Sequence, residues 1–178
     1  GRYEEAEPLL LQALTIEEAT YGPDHPDSGT TINNLGLVYY STGRYEEAEP
    51  LLLRAINILE GATYGPHHPD LGTAIYNLAR IHLMYNRYEE AEPMLLRAIA
   101  INEATYGPDH VRVATAVNDL GVIYQSTGRY EEAIEVLLAA LERAPDTAVL
   151  HRELALAYVL ADDVEGARPH MAELLRLI

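Results

Sequence analysis

The stretch YGPDHPD at residues 21–27 sets a histidine between two aspartates and two prolines. Imidazole and carboxylate groups this close together are the materials of a metal site or of acid–base chemistry. The stretch recurs as YGPHHPD at 64–70 and as YGPDHVR at 106–112. A structural zinc site draws about four ligands to one point. A single histidine per copy, repeated along the chain, disperses them instead. His67 and His68 are the one local pair, and adjacent residues chelate a single ion poorly. The recurrence is therefore expected to mark a turn, with no metal ligand in it.

Other chemistry is equally sparse. The chain lacks cysteine, which excludes thiolate metal sites, disulfides and cysteine nucleophiles. It contains no phosphate-binding glycine loop, no nucleophile elbow and no HExxH. Catalytic residues, metal ligands and cofactors are all expected to be none, and the chain is not read as an enzyme.

The turn has its own logic. Gly22, Gly65 and Gly107 follow a helix end, and Pro23, Pro66 and Pro108 forbid its continuation. Tyr21, Tyr64 and Tyr106 are expected to lock the loop by packing. Asp27 and Asp70 are placed to cap the next helix. Arg112 stands there in the third copy, so a different cap is expected.

The elements on either side repeat. GRYEEAEPLLLQA starts at Gly1, GRYEEAEPLLLRA at Gly43, NRYEEAEPMLLRA at Asn86 and GRYEEAIEVLLAA at Gly128, at spacings of 42, 43 and 42. A weaker copy, DDVEGARPHMAEL, follows at Asp162. Each unit reads as two helices. Ile32, Leu35, Val38 and Tyr39 lie at helical spacing on the first. Gly43 or Asn86 closes it in a left-handed conformation. The second runs from near Tyr45 to about Thr63, with Ala48, Leu52 and Ala55 on its packed face. Small Gly36 and Ala48 permit close approach of the two. Pro8, Pro50 and Pro93, a few residues inside the second helices, predict an irregular or bent first turn.

The pattern LGxxYxxxGxYxxA, carried by Leu35, Gly36, Tyr39, Gly43, Tyr45 and Ala48, resembles the tetratricopeptide repeat signature. With the period and the NNLG and GPDHPD segments, the chain is similar to the kinesin-light-chain-like subclass found in many bacterial proteins. His82 departs from tyrosine at the Tyr39 position, and Asn86 and Asp162 depart from glycine. The resemblance implies an all-α fold, an α-α superhelix or right-handed solenoid of antiparallel helix pairs. The expected array is a truncated second helix at 1–22, repeats at 27–64, 70–106 and 111–144, and a shorter unit at 146–178. The chain starts at a second helix and ends at MAELLRLI without a polar capping helix, which suggests a piece of a longer protein.

In such a solenoid the first helices line the concave surface, and the resemblance implies that a peptide lies there. Asn34, Asn77, Asp119 and Glu153 precede Leu35, Leu78, Leu120 and Leu154, and Asn33, Tyr76, Asn118 and Arg152 come one residue earlier. By resemblance, Asn34 and Asn77, with Asn118 as a further candidate, clamp a ligand backbone, since an amide offers both donor and acceptor. Asp119 and Glu153 favour a donor or a cation. Arg80 and Arg152 suit a ligand carboxylate. The alternative for the asparagines is a bond between neighbouring helices. No basic cluster of the two-carboxylate-clamp type is present.

Net charge is −16, from 28 acids against 12 basic residues. Nucleic acid and anionic membranes are not expected partners. Twelve acids crowd the starts of the second helices, Glu4, Glu5 and Glu7 in the first copy, where they suit the helix dipole on a solvated face. No membrane span and no signal peptide are expected, and the expected location is cytoplasmic. The expected partner is a protein or peptide. The competing reading is self-assembly, with the apolar terminal helices stacked into an end-to-end homo-oligomer.

Overall fold

The computed structural model describes residues 2–61, 68–145 and 147–177. The expectations for Tyr64, Gly65, Pro66 and His67 lie outside those residues. The described residues form nine helices and no strand, so the chain is all-α. The helices are α1 (Tyr3–Tyr21), α2 (Pro26–Ser41), α3 (Tyr45–Gly61), α4 (Pro69–Met84), α5 (Tyr88–Tyr106), α6 (Val111–Ser126), α7 (Tyr130–Arg143), α8 (Ala148–Leu160) and α9 (Val164–Leu177). They fall into two compact units, Gly1–Ile101 and Asn102–Ile178.

In the first unit, α2 packs on α3 and α3 on α4. Ile32, Leu59, Leu71 and Ile75 fill one cluster, and Ala48, Leu52, Leu78 and Ile81 a second. The approach of α2 to α3 is set by Gly36: a Cβ there would lie 2.8 Å from Leu52 Cδ2 and 2.9 Å from its Cγ. In the second unit, α6 packs on α7, α7 on α8 and α8 on α9, around buried Leu120, Ile123, Leu137, Leu150 and Leu154.

The helix closures follow the sequence. Gly43, Asn86, Gly128 and Asp162 all have positive φ, between 55° and 78°. The amide of the residue after each reaches back to a carbonyl five residues earlier, as in Arg44 N–H to Tyr39 O at 2.8 Å. That bond satisfies a carbonyl the helix end leaves free.

The helix starts differ from the expectation. The cap of α2, α4 and α6 is the histidine, not the aspartate. Nδ1 of His25, His68 and His110 accepts from the amide of the residue two further on, Asp27, Asp70 and Arg112, at 3.3, 3.3 and 3.2 Å. A histidine cap starts each helix two residues earlier than an aspartate cap at the Asp27 position would, and in α2 and α4 proline fills the first helical position. One rule thus serves all three copies, and Arg112 needs no separate cap. Tyr21 and Tyr106 lock the loop by stacking on those rings, at centroid distances of 4.7 and 4.6 Å, while remaining exposed themselves.

The acids are less uniformly solvated than expected. Arg44 donates to Glu7 of the preceding repeat at 2.8 Å, and Arg87 donates to Glu49 at 2.8 Å. Arg54 meets Glu18 at 2.6 Å, and Arg97 meets Glu60 at 2.5 Å. Acidic residues on one second helix therefore pair with arginines one repeat later. The Arg87 guanidinium holds the Glu49 carboxyl below the usual carboxylate range. α1, α3, α5 and α9 run continuously through Pro8, Pro50, Pro93 and Pro169.

Candidate functional site

The first helices of each repeat place the residues singled out in the sequence. In the first unit these are α2 and α4. Asn34 is exposed on α2, while its neighbour Asn33 is buried. Asn77 on α4 is also buried, and its Nδ2 donates to Asn33 Oδ1 at 3.0 Å. The two residues read as equivalent clamps thus differ: Asn34 offers a whole amide to the surface, and Asn77 spends one donor on the adjacent repeat. The bond pairs a buried donor of Asn77 with the buried acceptor of Asn33 at a helix–helix contact, where unpaired polar atoms would cost about 1–3 kcal/mol.

One turn beyond Asn77, the Arg80 guanidinium lies over the Tyr40 ring, 4.3 Å from its centroid. The Tyr76 ring stands 5.7 Å from the same group. Tyr40 continues to Tyr45 at 5.3 Å, and Tyr45 meets Tyr85 edge-on at 6.1 Å. Stacking occupies the faces of a guanidinium and leaves its in-plane N–H donors for other partners. Among the described residues no carboxylate pairs with Arg80. Arg44, Arg54, Arg87 and Arg97 in the same unit all have one.

In the second unit the corresponding helices are α6 and α8. Asn118 and Asp119 are partly buried, and Asn118 Nδ2 donates to Asp119 Oδ1 at 3.4 Å. Asn118 Oδ1 is buried and accepts no bond among the described residues. Glu153 is buried and already paired: Arg152 donates to it from Nε at 2.8 Å and lies 2.7 Å away at Nη2. The carboxylate read as open to a ligand cation is closed by its own neighbour. Gln125 Nε2 donates to the Glu153 backbone carbonyl at 2.9 Å and ties α6 to α8. Leu156 and Val159 are exposed on α8.

No group of three or more histidine, aspartate or glutamate side chains converges on a point among the described residues. No described helix is long and apolar enough to cross a membrane. His82, at the position where other units have tyrosine, is buried. Burial, then the nearby Arg87 charge, pushes its pKa below the ordinary histidine value.

The tetratricopeptide repeat model matches residues 1–61, 59–104 and 86–146, and a second tetratricopeptide repeat model matches residues 118–177. The chain belongs to the tetratricopeptide repeat family. Its solved structural neighbours include a kinesin-light-chain-like protein. BtubC (BKLC) from P. vanneervenii superposes with a TM-score of 0.89 at 23% identity, over 99% of this chain and 73% of that one. A putative kinesin light chain of Podosopora anserina, built of nearly identical TPR-like repeats, gives 0.83 at 25% identity, over 99% and 87%. MamA of AMB-1 gives 0.69 at 26% identity, over 100% and 90%. No curated protein matches the chain. The tetratricopeptide fold is an all-α superhelical repeat whose members are typically non-enzymatic, and the chain is in general terms a protein-interaction scaffold.

Proposed function

We propose that the first-helix face of unit Gly1–Ile101 binds an extended peptide segment bearing a carboxylate. The observation that carries this is Arg80. In a chain of net charge −16, it has no acidic partner among the described residues and lies over the Tyr40 ring with Tyr76 nearby. A stacked guanidinium has lost much of its rotamer freedom before a ligand arrives. Ordering cost on binding falls accordingly. Exposed Asn34 supplies a donor and an acceptor that match one peptide group. Asn33 and Asn77 form the polar floor between the helices. Asn118, Asp119 and Arg152 are proposed as contacts of the second unit's own first-helix face, a weaker one because Arg152 is neutralised by Glu153. Absence of catalysis and a cytoplasmic location belong to the same proposal. Cell fractionation of the tagged chain tests the latter.

Selection from a displayed random-peptide library on the immobilised chain tests the reading. Selected peptides should be enriched in aspartate, glutamate or a free C-terminal carboxylate. Arg80→Gln should weaken them by about ten- to a hundredfold, the range for losing a hydrogen bond to a charged group. Asn34→Ala should weaken them less. Selected binders with unchanged affinity for both variants would remove the assignment.

Self-assembly is favoured by a separate observation. Met171 and Leu175 on α9 are 53% and 75% exposed. Light scattering over a concentration series, on wild type and on Leu175→Glu, tests it. Growth abolished by the substitution supports assembly, and a monomer throughout rejects it.

A further inference from the structure

The second unit holds a histidine pair apart from the first-helix face. His151 is buried on α8, and His170 is partly buried on α9. Their Nδ1 atoms are 3.1 Å apart, and Nε2 of His151 is 2.7 Å from the Pro145 carbonyl oxygen. A carbonyl oxygen accepts and cannot donate, so His151 carries its hydrogen on Nε2. In the neutral ring its Nδ1 is then bare. His170 must supply the hydrogen between them from its own Nδ1. One backbone carbonyl therefore dictates the tautomer of two rings on two helices.

Few other groups reach the pair. From α8, the Tyr158 ring stacks on His170 at 5.8 Å, with the planes 10° apart. From α9, Glu173 lies close enough to feel the charge of His151, but its carboxylate is engaged by Arg176 Nε at 2.7 Å. Among the described residues no side chain of α6 or α7 makes a hydrogen bond, an ion pair or a ring contact with either histidine; the segment after α7 contributes the Pro145 carbonyl. α9 rests on α8 at close range: a Cβ on Gly166 would lie 2.5 Å from the Tyr158 ring.

We propose that His151 and His170 form a proton-operated latch that holds α9 on α8 while both rings are neutral and loosens it when they charge. One added proton leaves a single N–H between the two Nδ1 atoms, shared by the pair, but puts a cation into a partly buried site. A second proton fills the remaining bare Nδ1. Two N–H groups then face each other, and the bond between the helices is lost. Burial, and after it the charge of His151, lowers the His170 pKa, so charging both rings together is the disfavoured step. The latch is a regulatory device within the second unit, independent of peptide binding on the first.

Nitrogen-15 NMR of the imidazoles and amide hydrogen exchange, both on the intact chain, test this. At about pH 8, above the ordinary histidine range, His151 should show the Nε2–H tautomer and His170 the Nδ1–H tautomer. From about pH 8 to about pH 5, α9 protection should fall by up to about a hundredfold per pH unit, the limit for two protons taken up on opening. His170→Gln keeps an N–H donor without titrating, so its α9 protection should lose that dependence while α2 and α4 keep theirs. The reverse tautomers, a charged pair at about pH 8, or pH-independent α9 protection in wild type would each overturn the latch. So would a His170→Gln chain whose α9 responds to acid like wild type. Should that variant fail to fold, the wild-type tautomers and exchange still decide.

Discussion

The histidine caps predict an ordering among chemically similar substitutions. At α6, His110 supplies two things: Nδ1 accepts the Arg112 amide hydrogen at 3.2 Å, and the ring stacks on Tyr106 at 4.6 Å and 21°. Loss of an N-cap acceptor costs about 0.5–2 kcal/mol. The bond length lies at the long end of the hydrogen-bond range, so the lower half of that interval applies. Loss of an exposed aromatic stack adds about 0.5–1 kcal/mol. His110→Ala should thus cost about 1–2 kcal/mol. His110→Asn restores an acceptor without the stack and should recover about half of the loss. At α2 the loss should be smaller. Asp27 stands in the first turn, with Oδ2 3.7 Å from His25 Nδ1, and can serve the helix start when the ring is gone. The first turn of α6 holds no acid. The predicted order of cost is therefore His110→Ala, then His110→Asn and His25→Ala. Urea denaturation followed by circular dichroism, with amide exchange in the first turns of α2 and α6, measures it. A neutral His110→Ala, or a His25→Ala that costs more, would refute the cap.

Other consequences are more local. Gly36→Ala gains about 1 kcal/mol of helix propensity but overpacks against fully buried Leu52, at about 1–3 kcal/mol. It should be destabilising in urea titrations, whereas Gly121→Ala, with Leu137 at 3.2 Å, should be closer to neutral. Stabilisation by Gly36→Ala would contradict the observed approach. Leu78→Ala removes a fully buried side chain and should cost about 2–5 kcal/mol by the same assay; a cost below that range would count against its core position. His82 is held below its ordinary pKa in the folded chain, so the unfolded chain binds more protons in acid. Its contribution should be full above about pH 6.5, the unfolded value, and decline as pH falls through the lower folded value. His82→Gln should flatten that part of the stability–pH curve, and an unchanged curve would count against a neutral buried ring.

Much of the fold could be read from the chain because repetition makes each signal appear several times. The apolar spacing of Ile32, Leu35 and Val38 and the left-handed closure at Gly43 and Asn86 depend on local chemistry alone. The helix starts were misassigned because aspartate is a strong capping residue and histidine is not among the usual ones. What singles out His25 is the proline after it, which fixes the first helical position. The pairing of Arg44 with Glu7 and of Arg87 with Glu49 was hidden because the partners lie 37 and 38 residues apart. The site was legible only as a set of positions. Sequence equivalence between Asn34 and Asn77 concealed that the second is buried and bonded to Asn33. The stack of Arg80 on Tyr40 joins two helices and leaves no local trace. His151 and His170 have no counterparts in the other repeats, so periodicity could not reveal them.

The most direct test of the proposed binding face is amide chemical-shift mapping of the isotope-labelled chain with a selected acidic peptide. Perturbations should centre on Asn34, Tyr40, Tyr76 and Arg80 of α2 and α4 and vanish in Arg80→Gln. Perturbations centred on the second helices, around exposed Leu53 and Leu96, would place the ligand elsewhere and contradict the assignment.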